Sequence, residues 1–110
     1  MTKVTFYQNR NGRITGFEAR DHSGYAEAGE DIVCAAVSAL VIHTVNSLDR
    51  FTGDQIEESS DPENAVICVR VKGIPSDGSE LLLRALASTL SDMQEEESYQ
   101  DFIDVNFVEV

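Results

Sequence analysis

"DIVCAAVSALVIHTVNSLDRF", residues 31–51, carries more apolar side chains than one helical face can hold. Ile32, Val33, Val37, Leu40, Val41, Ile42, Val45 and Leu48 spread over most of a helical circumference. That pattern predicts a central helix, buried on nearly every side. The helix is expected to start near Glu30 and to stop before Gly53 and Asp54. A buried helix needs partners, and the flanking sequence supplies them as strands.

Upstream, "KVTFYQ" (3–8) alternates Val4 and Phe6 against Thr5 and Tyr7, the period of a half-buried strand. "NRNG" (9–12) reads as a hairpin turn, because Asn and Gly accept the positive φ of tight turns. "RITGFEARD" (13–21) is the return strand, with Ile14 and Phe17 out of phase across Gly16, which predicts a bulge. "HSGYAEAGE" (22–30) reads as a loop with two glycines. Downstream, "QIEESSDPEN" (55–64) holds a short strand or loop and a turn at Asp61-Pro62. "AVICVRVKG" (65–73) is β-branched enough for a central strand.

"IPSDGSELLLRALASTLSDMQEEE" (74–97) is a second helix, with Asp77 and Glu80 spaced as a capping box. Its apolar stripe is Leu83, Leu86, Leu90 and Met93. "FIDVNFVEV" (102–110) closes as a strand with Ile103, Val105 and Phe107 inward. The order ββα(β)βαβ predicts an α+β fold in two layers, a mainly antiparallel sheet with two helices on one face. Residues 1–110 are expected to form a single domain.

The chain has 20 acidic and 8 basic residues, a net charge of −12. Such a surface repels phosphate backbones and anionic lipid, so neither nucleic acid nor membrane is an expected partner. It attracts basic proteins, although acidity also serves plain solubility. No uninterrupted apolar run reaches the roughly 20 residues that span a bilayer, and no signal or transit peptide is visible. The expected location is the cytoplasm, where Cys34 and Cys68 would stay as thiols.

Cys34 stands three or four residues inside the first helix if that helix starts near Glu30. Unsatisfied first-turn amides and the helix dipole favour a thiolate there, the reactive form of cysteine. The dipole contributes only about 0.3–1 kcal/mol, and the charges of Glu30 and Asp31 oppose it. A cationic partner is required. His22, twelve residues upstream, is the candidate, as general base toward the sulfur and acid toward a leaving amine. Asp31 could orient the imidazole, and amides near Cys34 could supply part of an oxyanion hole. On pattern alone, a buried thiol with an unrelated surface histidine is the commoner explanation of one Cys and one His at this spacing.

Other reactive residues have plainer readings. His43 is structural or at an interface, Cys68 is a small buried hydrophobe, and Ser38 bonds a helix carbonyl. Neither "CxxC" nor "HxxxH" occurs, so no metal is implied, and the glycine-rich nucleotide motifs are missing.

The segment "DHSGYAEAGEDIVCAAVSAL" (21–40) resembles the active-site region of the ribosomal-processing cysteine proteases, the Prp or YsxB-like family. The matching positions are His22, Gly29, Asp31, Ile32, Val33, Cys34, Ala35 and Ser38; chain length, the opening hairpin, the leucine-rich second helix and the last strand agree too. The resemblance implies a thiol endopeptidase that removes an N-terminal extension from a large-subunit ribosomal protein, a basic substrate. It implies Cys34 as nucleophile, His22 as general base and Asp31 as a third member, in a cofactor-free α+β homodimer. Around them, Asp21, Ser23, Gly24, Tyr25, Gly29 and Ser38 are the expected substrate-binding or loop residues, with Gly24 and Gly29 as hinges. Asp21 departs from the family, whose members usually have glycine before the catalytic histidine. An aspartate there stiffens the loop and places a charge beside His22. The rival functions are a non-catalytic acidic module that chaperones a basic ribosomal protein, and an unrelated thiol hydrolase.

Overall fold

The computed structural model describes residues 1–21 and 28–110; the side chains of residues 28–30 lie outside the description. The first strand, β1 (Thr2–Gln8), and β2 (Ile14–Arg20) pair antiparallel as the alternation predicts. Gly12 closes their turn at φ +79, and its N–H donates to the Asn9 carbonyl. The expected bulge is present: Tyr7 faces Gly16 but Gln8 faces Ile14, so Thr15 is the extra residue.

The helix α1 spans Ala28–Phe51. It leads to the hairpin of β3 (Ile56–Asp61) and β4 (Val66–Val71), then to α2 (Asp77–Glu95) and β5 (Ile103–Glu109). The sheet order is β3-β4-β2-β1-β5. All neighbours are antiparallel except β1 and β5, which run parallel with Thr2 opposite Ile103, so the sheet is mixed. β4 is interior to the sheet, as its composition predicts, although β2 holds the centre.

One sheet face and both helices form the core. Val4, Phe6, Phe17, Val69, Val71 and Ile103 meet Val33, Val37, Val41 and Leu48 of α1 and Leu83, Leu86 and Leu90 of α2. The opposite face carries Tyr7, Glu18, Cys68 and Arg70, with the Arg70 guanidinium 4.7 Å from the Tyr7 ring centre and the Tyr7 hydroxyl donating to Glu18. Phe107 is only partly inward: it stacks on Phe6 at 5.5 Å yet stays 47% exposed at the sheet edge.

Two expectations about the helices need correction. α1 is not buried all round. Ile32 (58% exposed), Ile42 (59%) and Phe51 (79%) face outward, and only the stripe from Val33 to Leu48 packs inward. By length and composition Asp31–Phe51 could also cross a membrane, which a count of uninterrupted apolar residues missed; its inner stripe instead packs on the sheet and α2. The cap of α2 is Ser76, not Asp77: its Oγ accepts from the Ser79 N–H. Asp54 holds this start from outside, accepting from the Ser76 N–H at 2.9 Å and the buried Ser79 hydroxyl at 2.6 Å. Glu80 does not reach back to the cap; it accepts from the Ile14 N–H at 2.6 Å and from Arg84 at 2.7 Å.

Candidate active site

Four segments converge at one end of the sheet. Asp21 follows the last residue of β2, and its N–H donates to the Ala65 carbonyl at 3.0 Å, just ahead of β4. Thr2, at the start of β1, donates its hydroxyl to Asp21 Oδ1 at 3.2 Å. Cys34 comes in from α1. Between them lies a cleft of about 190 Å³, lined by Thr2, Ala19, Asp21, Cys34, Val37, Ser38, Val41, Ile42, Ala65 and Ile67. Its walls are mostly aliphatic, and its polar groups gather around the sulfur.

The helix starts at Ala28, two residues earlier than expected, so Cys34 is its seventh residue and Gly29 is helical rather than in a loop. This corrects the picture of a thiol at the helix mouth. Orphan amides end with the first four residues, and dipole stabilisation fades within the first turn. Neither the dipole nor free helix amides beside Cys34 activate this sulfur.

Its nearest polar partner works against activation as well. The Cys34 thiol donates a hydrogen bond to Asp21 Oδ2. That bond to a carboxylate, then burial, then the Asp21 charge push the thiol above its ordinary pKa, and the charge of Asp31 adds to them. Ser38, one turn further along α1, opposes the shift by hydrogen bonding that favours the thiolate. Ser38 lines the cleft beside the sulfur. The described surroundings of this half-buried cysteine thus favour the thiol over the thiolate.

Asp31 is exposed one turn before Cys34. His22, Ser23, Gly24 and Tyr25 lie outside the described residues, as does the relation of Asp21 to the His22 ring. Cys68 is half-exposed on the open sheet face beside Arg70, not a buried hydrophobe, and the sheet separates it from Cys34. His43 is exposed at the rim of a hollow between α1 and α2 with Leu40, Leu82 and Leu86. Sequence reasoning missed the cleft walls and the Asp21 contact with sulfur. The alternation of Ile67 with Cys68 and the α1 stripe through Val37 and Val41 carry the only signal for the walls, and it reads simply as core.

The α+β fold thus carries a helix-borne thiol that faces an apolar cleft at one end of its sheet. Residues 1–104 match the family described as cysteine protease Prp, and the chain belongs to that family. It is 27% identical over 107 residues to the ribosomal processing cysteine protease Prp of Staphylococcus aureus, covering 97% of this chain and 99% of the relative. The Bacillus subtilis Prp is 38% identical over 48 residues, 44% of this chain and 43% of that protein. Among solved structures, the Staphylococcus aureus Prp in complex with a substrate peptide is similar with a TM-score of 0.89 at 26% identity, covering 98% of this chain and 100% of that one. The same protease with a covalently linked product peptide gives 0.85 at 26% identity over the same shares.

Proposed function

We propose that this chain is a cysteine endopeptidase that removes the N-terminal extension of a large-subunit ribosomal protein. Cys34 is the nucleophile: its thiolate attacks the scissile carbonyl, the leaving amine takes a proton, and water hydrolyses the acyl-enzyme. His22 is the general base that takes the thiol proton and then the acid that returns it to the amine. Asp31 is the third member, acting on the imidazole, and Ser23, Gly24, Tyr25, Gly29 and Ser38 bind or admit the peptide. The enzyme works without cofactor in the cytoplasm, as a one-domain protomer of a homodimer.

The observation that carries this reading is the position of Cys34 in an aliphatic cleft, in a chain whose family relatives are named as ribosomal processing cysteine proteases. A cleft of that kind suits an apolar substrate side chain beside the scissile bond. The charge of −12 suits a basic substrate. A non-catalytic binding module is the second reading, favoured by the carboxylate beside Cys34, which raises the thiol pKa.

One experiment separates them. The candidate precursor is incubated with wild type and with Cys34→Ala, and its mass is followed. Shortening by wild type alone, with Cys34→Ala at least about a thousandfold slower, is the expected result for a lost nucleophile. An intact precursor bound by both proteins would establish the binding module.

A further inference from the structure

We infer that Asp21 is a positioning residue that holds the nucleophile at rest, keeping Cys34 bonded to its carboxylate until a substrate takes that place. The inference deepens the proposal above and rests on Cys34 as its nucleophile. It differs from the sequence expectation, which directed the Asp21 charge toward His22.

Three contacts make Asp21 a built partner of the sulfur rather than a passing one. Its N–H is tied to the Ala65 carbonyl at 3.0 Å, its Oδ1 accepts from Thr2 at 3.2 Å, and its Oδ2 accepts from the Cys34 thiol. The carboxylate is thus fixed from β1 and from the residue ahead of β4 while it reaches α1. Among the described residues, the charged and polar groups around the sulfur are Asp21 at the end of β2, Asp31 and Ser38 on α1, and Thr2 on β1. The wall from the β4 side, Ala65 and Ile67, carries no charge. The Asp21 and Asp31 carboxylates both push the pKa of the thiol up.

A thiol whose proton is held by a carboxylate is a poor nucleophile. Attack therefore requires the sulfur to exchange partners. On the proposed mechanism the proton leaves the sulfur for His22.

The test uses the full chain in a Cys68→Ser background, so that a single thiol reports. Alkylation by iodoacetamide is followed against pH for Asp21, Asp21→Asn and Asp21→Gly. Loss of the carboxylate charge is expected to move the titration toward acid and to speed alkylation at pH 7 by about three- to tenfold, tenfold corresponding to one pKa unit. The kcat/KM profile, which reports the free enzyme, should move the same way, while the kcat profile stays in place because bound substrate has already displaced the contact. Alkylation curves that coincide for all three proteins would overturn the inference, and so would kcat and kcat/KM profiles that shift together. Should the variants fail to fold, the Cys68→Ser protein alone decides: its Cys34 must react more slowly at pH 7 than the cysteine of a short peptide, and a faster reaction overturns the inference. The underlying assignment fails separately, by cleavage that survives Cys34→Ala.

Discussion

At Gly16 the chain accepts only hydrogen in place of a side chain. A Cβ there would lie 2.3 Å from the Val69 carbonyl oxygen and 2.9 Å from the Arg70 Cα, both backbone atoms of the neighbouring strand. Backbone inside a sheet cannot move aside the way a flexible side chain can. We therefore predict that Gly16→Ala destabilises the fold by about 1–3 kcal/mol, the range for overpacking. Thermal melting should show it as a drop of about 5–15 °C; an unchanged melting temperature would mean that the strands separate at little cost. The glycine and the bulge beside it were both legible in the broken alternation from Ile14 to Phe17. The carboxylate on Cys34 was not. Thirteen positions separate Asp21 from Cys34, and no spacing rule links a strand end to the second turn of a helix.

The first helix shows where pattern reading stops. Its apolar residues exceed one face, and composition alone assigns the surplus to burial. In the fold, the sheet and α2 cover only the side holding Val33, Val37, Val41 and Leu48, while Ile32, Ile42 and Phe51 remain outside. The expected consequence is a sharp contrast along one turn. Leu48→Ala, at a fully buried site, should cost about 2–5 kcal/mol. Phe51→Ala should stay within about 0.5 kcal/mol. Urea denaturation of the two variants checks this, and equal losses would show that α1 is enclosed on both sides. The second helix behaved as its period predicted along Leu83, Leu86 and Leu90. Its start did not, because Asp54, more than twenty residues earlier, selects which residues cap it.

For the molecule as a whole, the proposed basic substrate gives the net charge a role in capture. With a net −12 spread over a small fold, association with a cationic peptide should be fast and salt-sensitive. We predict that kcat/KM for a Lys-rich precursor peptide falls several-fold between roughly 0.05 and 0.5 M salt, as the screening length shrinks. kcat should change little. A neutral peptide with the same residues at the cleavage point should show no such slope; equal slopes for both would remove charge from the account of substrate capture. The same charge leaves the sheet topology untouched, since core packing and strand pairing determine it.

The order of elements, the hairpin, the bulge, the leucine stripe and the family resemblance were all written locally, in alternation, turn residues and one distinctive segment. Each depends on neighbours within a few positions, so the chain alone determines it. The cleft, the outward face of α1 and the partner of Cys34 depend on distant segments. They arise only when β1, β2, the turn before β4 and α1 meet at one end of the sheet. Side chains from Thr2 to Ile67 then share a volume of about 190 Å³. Hydrogen bonding and desolvation act over a few ångströms of space whatever the distance along the chain, and so the surroundings of that sulfur are decided by the tertiary structure.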